Sequence, residues 1–298
     1  MIKKTIYLGN TSYLSIRKQQ LVLKNEEAER TIPIEDIGVL ILDNYQITIT
    51  HTVLQTLLEN NCAIITCNEK HHPSGLFLNL DGHTQQTEKF KAQINASEPL
   101  KKQLWQQTIK AKLQNQANVL DTWNIKSNYI KNLVPKILSG DNDNKEAQAA
   151  KYYWSVLYHE EEPMFVRERF GDYPNNFLNY GYAILRATVA RGLVASGLLP
   201  TLGIFHRNKY NAFCLADDIM EPYRPFVDHL VKEIMTDVPE EQELTQDIKR
   251  RLLEIPALTI SIDQKTSPLM VGLQRTTASL ASCFEGSTKK IIYPSFEL

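Results

Sequence analysis

The first 80 residues carry short apolar and mixed segments separated by turn residues, which is the pattern of a small β-rich domain. The predicted strands are residues 5–8, 13–17, 20–24, 29–33, 37–42 and 63–67. The fifth of these segments is continuously apolar, which is typical of a strand buried on both faces. Ahead of the sixth segment, Thr50 can cap a short helix with one aliphatic face.

The hydrophobic pattern changes after residue 80. Residues 81–88 (DGHTQQTE) are polar, contain Gly82 and have no hydrophobic period, which predicts a linker. From residue 89 onwards, apolar residues recur at helical spacing almost to the end of the chain. We therefore predict an α+β protein with a small β-rich domain over residues 1–80 and a larger all-helical domain over residues 89–298.

The helical part contains clear start and stop signals. Ser97 followed by Pro99 is typical of a helix start, whereas Gly140 and Gly197 follow apolar runs that they can end. The predicted helices are one that runs from Ser97 through Val119 and others over residues 129–138, 143–157, 176–196, 215–221, 240–255 and 275–284.

Composition argues against several classes of protein. The net charge is −1 and the calculated pI is about 6.7, so no overall field indicates a nucleic-acid or membrane partner, although local basic clusters still can. The apolar runs are too short to cross a bilayer, and no signal-peptide core follows the N-terminal lysines. Four cysteines in 298 residues do not make a disulfide framework, so we expect a cytoplasmic protein.

One group of cysteines and histidines has the spacing of metal ligands. It is Cys62-x₄-Cys67-x₃-His71-His72. Because the two cysteines are separated by an odd number of positions, they would point to opposite faces of one strand. We therefore interpret Cys62 and Cys67 as buried free thiols rather than as metal ligands.

Residues 203–228 concentrate the candidate chemistry. His206 precedes Glu221 by fifteen positions, and Asp217, Asp218 and Glu221 lie within five residues of one another. In a helix, either aspartate shares a face with Glu221. One imidazole with carboxylates suits Mg²⁺ or Mn²⁺ better than a structural zinc ion. The alternative is a structural charge cluster, because a proline after Glu221 and nearby acidic residues are also typical of a helix start.

Glu146 also has two interpretations. The sequence Asp143-x-x-Glu146 has the form of a capping box, in which the glutamate bonds back to the start of its own helix. Alternatively, Glu146 points inward beside an alanine-lined face that leads to Tyr153 and Trp154. The residues alone leave both interpretations open.

Four motifs together resemble one protein family, the CRISPR-associated integrases of spacer acquisition, and most closely its type II members. The motifs are Glu146-Ala-x-Ala-Ala-x-x-Tyr-Trp, Asn179-Tyr-Gly-Tyr-Ala, Gly203-x-x-His206 and Asp218-x-Met-Glu221-Pro-Tyr-Arg224-Pro. They occur in the family's order and spacing, and the β-rich front with its helical body covers the whole chain in the family's arrangement. One departure is Ala147, where members often have glycine, and a helix tolerates this alanine.

The resemblance implies a metal-dependent DNA endonuclease and transesterase. Such proteins join the 3′-hydroxyl of an incoming DNA fragment to a phosphodiester at the leader end of a CRISPR repeat. Glu146, His206 and Glu221 fall where the family binds Mg²⁺ or Mn²⁺, and Asp218 falls where an acidic residue assists. The residues that we expect to contact the DNA backbone are Lys209, Arg224 and, in an aromatic-containing loop with Phe165 and Phe170, Arg167 and Arg169.

The resemblance also implies partners. We expect a homodimer formed through the β-rich domain, with two such dimers flanking a dimer of a small ferredoxin-like second CRISPR-associated protein. In type II systems the effector nuclease helps to select fragments. We expect residues 81–88 and 289–298 to become ordered only in such a complex. The alternatives are a hydrolytic nuclease that cuts branched DNA without joining strands, and a DNA-binding scaffold whose acidic cluster is structural.

Overall fold

A computed structural model describes residues 3–69, 71, 73–169, 171–239 and 241–297, in which an N-terminal region of strands precedes a mostly helical region. The predicted α+β class is therefore confirmed. Where one domain ends and the next begins stays a prediction.

In the described part of the N-terminal region, the strands form two four-stranded sheets. Their bounds are β1 (Lys4–Leu8), β2 (Tyr13–Arg17), β3 (Gln20–Lys24), β4 (Glu29–Pro33), β5 (Ile37–Leu42), β6 (Thr48–Ile49), β7 (Ala63–Cys67) and β8 (Pro73–Phe77), with helix α1 (His51–Glu59) ahead of β7. One sheet has the order β4-β3-β2-β6 and the other β1-β5-β7-β8. The predicted strands are confirmed to within a residue.

The continuous apolar run of β5 is explained by its two neighbours in space. β5 lies between β1 and β7 and is parallel to both. Leu40 packs with α1 in the core of the N-terminal region, whereas Val39 and Ile41 join the core of the helical region. Because side chains alternate across a strand, a strand with a core on each face needs apolar residues at every position.

The helical region is built around two long helices. Its helices are α2 (Gln86–Ile94), α3 (Glu98–Thr122), α4 (Asn128–Leu133), α5 (Lys145–Leu157), α6 (Asn175–Ala195), α7 (Cys214–Met220), α8 (Arg224–Asp237), α9 (Gln246–Leu252) and α10 (Leu269–Phe284). Gly181 lets α6 approach α8 closely, because a Cβ atom at this position would lie 2.7 Å from Val227 Cγ1. The Ser97 side chain caps α3 as predicted, and Gly197 follows α6 with a φ of +73°.

The C-terminal region is mostly helical, as predicted, but it is not all-helical. Strands β9 (Thr259–Ile262), β10 (Lys265–Pro268) and β11 (Pro294–Ser295) form a small sheet in the order β10-β9-β11. The β9–β10 turn places Asp263 and Gln264 at positive φ, as a tight hairpin requires. Neither residue is a glycine, so the usual sequence signal for such a turn is missing.

Several predicted helix bounds are also corrected. α2 begins inside the predicted linker, α4 ends before Pro135, and α10 begins at Leu269 rather than at residue 275. The predicted helix over residues 240–255 shrinks to α9, and Glu240 lies outside the described residues. Pro135 ends α4 because a proline inside a helix removes a backbone hydrogen bond and clashes with the preceding turn.

The C-terminal tail packs against α3 in the single chain, so the expectation that it becomes ordered only in a complex is wrong for its described residues. Asn115 Nδ2 donates to the Pro294 carbonyl at 3.1 Å, and its Oδ1 accepts from the Phe296 amide at 3.0 Å. Ile291 and Phe296 are buried in the core of the helical region. Buried apolar side chains and satisfied backbone groups stabilise this packing.

Among the described residues of the cysteine and histidine cluster, no three side chains are arranged as a metal site. Cys62 and Cys67 are free thiols, the first buried and the second half-buried, and burial raises the pKa of each thiol to about 12. His71 lies 2.8 Å from Asp43 through its Nδ1 atom, and His72 lies outside the described residues. Among the described residues, no helix combines the length and apolar content needed to span a membrane.

Candidate active site

The start of α5 places Glu146 at the site. Asp141 caps this helix, since its carboxylate accepts the Lys145 and Glu146 amides at 2.9 Å each. The predicted capping box from Asp143 to Glu146 is therefore wrong. The Glu146 side chain is left free to extend towards α3, where its Oε1 atom accepts a hydrogen bond from Lys112 Nζ at 2.5 Å. Of the two interpretations of Glu146, the structure has the inward one.

Glu221 lies in a single 3₁₀ turn between α7 and α8. Its side chain is buried, and its Oε1 atom accepts from Arg224 Nε at 2.8 Å. Its Oε2 atom forms an ion pair with Lys112 Nζ at 2.6 Å and has no other partner among the described residues. Both glutamates therefore contact the Lys112 ammonium group, and the buried Glu221 Oε2 atom can accept a further partner.

Charges control the ionisation of this pair. Burial alone would raise the pKa of Glu221, but the positive charges of Arg224 and Lys112 lower it to about 2. Burial alone would likewise lower the pKa of Lys112, and the charges of Glu221 and Glu146 raise it instead. The carboxylate and the ammonium are therefore both charged at neutral pH.

Asp218 fixes the orientation of His206. Its Oδ1 atom lies 2.5 Å from His206 Nδ1, and its Oδ2 atom accepts the Ile204 and Phe205 amides at 2.7 and 2.9 Å. Gly203 allows this tight loop, because a Cβ atom there would lie 2.8 Å from Asp218 Oδ2. The imidazole therefore folds back over α7, with its Nε2 atom directed away from Asp218.

The hydrogen bond from His206 to Asp218 raises the pKa of the imidazole above its usual value, against the effect of burial. Burial raises the pKa of the Asp218 carboxyl group, although the same hydrogen bond opposes this shift. Trp105 supports the ring from the side, since its indole meets the imidazole edge-on with ring centroids 5.7 Å apart. The face of the indole stacks on Phe205 at 4.2 Å.

Asp217, the other acidic residue of this segment, belongs to a different contact. Its Oδ1 atom accepts from Arg186 Nε at 2.6 Å, and its Oδ2 atom accepts from Asn211 Nδ2 at 2.7 Å. Both carboxylate oxygens are therefore used in structural hydrogen bonds. Of the two aspartates that could share a face with Glu221, the structure places Asp218 beside the histidine.

The donor set suits a hard divalent cation, although it is not assembled around one. The described residues contain no group of three acidic, histidine or cysteine side chains in the arrangement of a ready metal site. The two glutamates converge on Lys112 instead. The chemistry nevertheless fits, because two carboxylates with one imidazole are typical ligands of Mg²⁺ or Mn²⁺, and Lys112 Nζ is the sole partner of the buried Glu221 Oε2 atom among the described residues.

The predicted DNA-contacting residues lie on two sides of this centre. Arg224 and Arg167 both lie over the Tyr182 ring, with guanidinium carbons 4.5 and 5.3 Å from its centroid. Lys209 is exposed and lies in a groove of about 440 Å³ that reaches His206. Arg169 is exposed, and its carbonyl accepts a hydrogen bond from the Asn179 side chain. Phe170 lies outside the described residues.

Lys112 lies at the centre of the site but is not among the candidate residues that the sequence motifs indicate. The signal was present in the helical pattern of α3, where buried positions recur every three or four residues. The buried face of α3 contains Trp105, Ile109 and Lys112. If that face were apolar throughout, position 112 would carry an aliphatic residue instead of a lysine. Lysines are rarely buried unless they are paired, so a lysine at a buried position indicates a carboxylate partner.

Comparisons with known proteins show the family of this chain. The family model described as CRISPR associated protein Cas1 matches residues 6–246. A CRISPR-associated endonuclease Cas1 from Neisseria meningitidis serogroup C (strain 8013) is 36% identical over 297 residues, which cover 99% of this chain and 96% of that protein.

Solved structures show the same fold at lower sequence identity. A casposase bound to integration product superposes with a TM-score of 0.81 and 18% identity, covering 98% of this chain and 92% of that chain. A chain of a Cas6-RT-Cas1–Cas2 complex superposes with a TM-score of 0.76 and 18% identity, covering 99% of this chain and 36% of that chain. The sequence motifs, the fold and the family match agree, and the chain belongs to the Cas1 family of CRISPR-associated proteins.

Proposed function

We propose that this protein is a divalent-metal-dependent DNA integrase of CRISPR adaptation, with endonuclease activity at the same site. The observation that carries the proposal is that Glu146 and Glu221 converge on the buried ammonium group of Lys112. Both glutamates lie within the residues that match the family model. The related Neisseria protein is named an endonuclease, and the casposase neighbour is bound to an integration product. Both support chemistry on DNA phosphodiesters.

Glu146, Glu221 and the Nε2 atom of His206 are the groups that would bind Mg²⁺ or Mn²⁺. When bound, such an ion polarises a phosphoryl oxygen and stabilises negative charge on the leaving oxygen. Asp218 orients the imidazole through Nδ1 and so keeps its other nitrogen directed away from the protein backbone. Arg224 orients the Glu221 carboxylate through a charge-assisted hydrogen bond.

The remaining cations would position the nucleic acid. Lys209 lies on the His206 side of the site, and Arg167 and Arg224 lie on the Glu221 side. Arg169 is exposed, and the Asn179 side chain bonds both its carbonyl and the Arg167 guanidinium group. Contacts of this type bind the phosphate backbone and orient a strand without reading its sequence. The reacting phosphodiester would thus be bound from both sides of the two glutamates.

The partners follow from the same relationship. One structural neighbour is a chain of a complex that contains Cas1 and Cas2, which supports a small ferredoxin-like second CRISPR-associated protein as the partner of this chain. A homodimer through the β-rich region, help from the type II effector nuclease in selecting fragments and a cytoplasmic location complete the proposal.

A hydrolytic nuclease is the alternative function, because the same ligands serve it with water in place of the 3′-hydroxyl. The test is a strand-transfer assay with Mn²⁺, a duplex fragment with 3′-hydroxyl ends and a supercoiled plasmid that carries a CRISPR repeat. Wild type is compared with Glu221→Ala and His206→Ala, with and without the small partner. Joined product that both substitutions abolish is the expected result. Cleavage without joining in the presence of the partner would favour the hydrolase.

The scaffold hypothesis is tested in the same assay. If Glu221→Ala and His206→Ala bind DNA and react as wild type does, the site assignment is wrong. A matched control is Glu35→Ala, which replaces an exposed glutamate in the β-rich region and is expected to have no effect.

A further inference from the structure

Lys112 holds the position between the two glutamates that a metal ion would take. Its Nζ atom lies 2.5 Å from Glu146 Oε1 and 2.6 Å from Glu221 Oε2. An ammonium group and a divalent cation cannot share this position, because they would bind the same oxygens and their charges repel each other. A metal ion that binds both glutamates therefore requires the Lys112 ammonium group to move.

A small cavity beside Glu221 offers space for the displaced ammonium group. Its volume is about 140 Å³, and Lys112 itself is one of the residues that line it. At about 30 Å³ for each liquid water molecule, this volume holds an ammonium group with a few waters. The lysine is only 9% exposed, so its charge needs a partner inside the protein.

Gln116 supplies an acceptor for that charge in the wall of the same cavity. Its side chain is only 2% exposed, and its Oε1 atom is buried without a hydrogen-bond partner among the described residues. Gln116 follows Lys112 by four positions on the buried face of α3, so the two side chains are neighbours. Because the four-carbon stem of lysine is flexible and its ammonium group only donates, Lys112 Nζ can reach Gln116 Oε1 and satisfy it.

The charges of the cavity wall permit a further cation. Two guanidinium groups, those of Arg167 and Arg224, and two carboxyl groups, those of Glu221 and Asp228, line the cavity. Burial raises the pKa of Asp228 to about 7, and a positive charge nearby favours the ionised form of this carboxyl group. Each guanidinium group therefore has an opposite charge in the same wall, so the two arginines do not exclude an ammonium group.

We propose that Lys112 is a resident counter-ion that the metal ion displaces, and that the displaced ammonium group binds Gln116 Oε1 in the cavity. Without metal, the ammonium group compensates both glutamates. With metal, the ion compensates the glutamates and Gln116 accepts the ammonium group, so neither state leaves a buried charge without a partner. Gln116 is a positioning residue that acts on the metal ion through Lys112. This proposal rests on the proposed function, since the metal ion is the same in both.

The test is a double-mutant cycle on the affinity for Mn²⁺, measured without DNA by electron paramagnetic resonance of the free ion. Gln116→Met removes the acceptor, so this variant should bind Mn²⁺ about tenfold more weakly than wild type. When Lys112→Met is also present, no ammonium group needs an acceptor, and Gln116→Met should leave the affinity unchanged. Gln114→Met is the matched control, because Gln114 lies on the exposed face of the same helix, and it should bind Mn²⁺ as wild type does.

Gln116→Glu adds a second readout that does not depend on the Lys112→Met protein. A carboxylate at position 116 attracts the ammonium group more strongly than an amide does, so the two glutamates should bind Mn²⁺ about tenfold more tightly than in wild type. Gln116→Met and Gln116→Glu should therefore shift the affinity in opposite directions. A packing defect at position 116 would weaken binding in both variants. Circular dichroism verifies the fold of each protein.

Several results would overturn the proposal and leave the proposed function intact. If Gln116→Met binds Mn²⁺ as wild type does, the ammonium group does not use Gln116. If Gln116→Met weakens binding equally with and without Lys112, Gln116 acts on the site independently of the lysine. A crystal structure with bound Mn²⁺ in which Lys112 still lies between the two glutamates would also contradict the displacement. If wild type has no Mn²⁺ binding that Glu221→Ala removes, the metal-dependent function fails together with this proposal.

Discussion

Two buried carboxylate–lysine pairs in this protein differ in how completely they are satisfied. Glu221 and Lys112 lie 2.6 Å apart in the candidate active site, and Asp43 and Lys249 lie 3.0 Å apart between the N-terminal region and α9. In the first pair, one ammonium serves two glutamates, and Lys112 Nζ is the sole partner of Glu221 Oε2 among the described residues. The Lys112 ammonium compensates the charges of both glutamates in the folded chain, and the two carboxylates can still bind a metal ion.

The Asp43 pair is complete. Its Oδ2 atom accepts from Tyr7 Oη at 2.6 Å and from Lys249 Nζ, and its Oδ1 atom lies 2.8 Å from His71 Nδ1. Burial alone would raise the pKa of Asp43, but hydrogen bonds from Tyr7, Lys249 and His71 lower it. Every oxygen has a partner, so nothing in this cluster requires a ligand. The comparison shows that two carboxylates sharing one lysine keep capacity for a further ligand, whereas a carboxylate with every oxygen hydrogen-bonded does not.

The largest expected effect is on the Glu221–Lys112 pair, in which one lysine serves two glutamates. Glu221→Gln should reduce strand joining by about 100- to 1,000-fold, because it removes charge at the position that binds the metal ion, while the fold persists. A strand-transfer assay measures the rate, and circular dichroism verifies the fold. Glu35→Gln is the control and should join strands at the wild-type rate. If Glu221→Gln joins strands at the wild-type rate, the Glu221–Lys112 pair is not part of a functional centre.

The complete pair should respond in stability instead. Asp43→Asn leaves the Lys249 ammonium buried without its counter-charge and should lower the free energy of unfolding by about 3 kcal/mol. Urea denaturation measures this change. Asp36→Asn is the control, because its ion pair with Lys4 is partly exposed and 3.7 Å long, and it should cost less than about 1 kcal/mol.

The Asp43→Asn protein should join strands at the wild-type rate while it remains folded. A loss of joining at temperatures where the protein is still folded would show that the Asp43 cluster takes part in function.

A smaller effect should distinguish the two lysines. Lys112→Met should increase the affinity for Mn²⁺ in the absence of DNA by about tenfold, or about 1.4 kcal/mol, because the ammonium competes for the same carboxylate oxygens. Titration with electron paramagnetic resonance counts free Mn²⁺. Lys249→Met, the matched control, should leave this affinity unchanged. Weaker Mn²⁺ binding by Lys112→Met would show that the lysine supports the metal site rather than competes with it.

The smallest expected effect is a difference in pH dependence. The pKa of His206 is raised in the folded protein, so its stabilising contribution is complete below the unfolded pKa of about 6.5 and is lost as pH rises through the folded pKa. The pKa of Asp43 is lowered, so its contribution is complete above the unfolded pKa of about 3.9 and is lost as pH falls through the folded pKa.

Unfolding of His206→Gln and Asp43→Asn across pH should therefore show opposite trends relative to wild type. The His206 contribution should stay below about 1 kcal/mol, because the side chain is 45% exposed and water screens the ion pair. If the difference in the free energy of unfolding between wild type and His206→Gln grows with increasing pH, the folded protein does not stabilise the protonated imidazole beside Asp218.

Local patterns predicted much of the fold and part of the site. The sequence predicts β5 because a strand between two cores has no polar position. His206 and Asp218 could also be predicted to lie close together, because one turn and one helix in a short segment connect them. Lys112 and Glu221 are separated by 109 positions, so their contact depends on how α3 packs against the turn after α7. No local pattern contains that information.

The missed elements have a similar cause. The β9–β10 hairpin has a turn without glycine, and its strands are short, so the surrounding helical period dominated the interpretation of the sequence. The capping of α5 by Asp141 rather than Asp143 depends on Asn144 adopting a left-handed conformation with a φ of 54°. Both depend on single backbone conformations that composition does not determine.

The positions of the three tryptophans have a practical consequence for optical experiments. Trp105 lies against His206, Trp154 lines the cavity beside Glu221, and Trp123 donates a hydrogen bond to His229 at 2.9 Å, away from both. Variants that retain one indole each would therefore give separate fluorescence signals from the imidazole, from the cavity and from a reference position. The order in which a paramagnetic ion and a DNA strand arrive could then be followed in real time without an added dye.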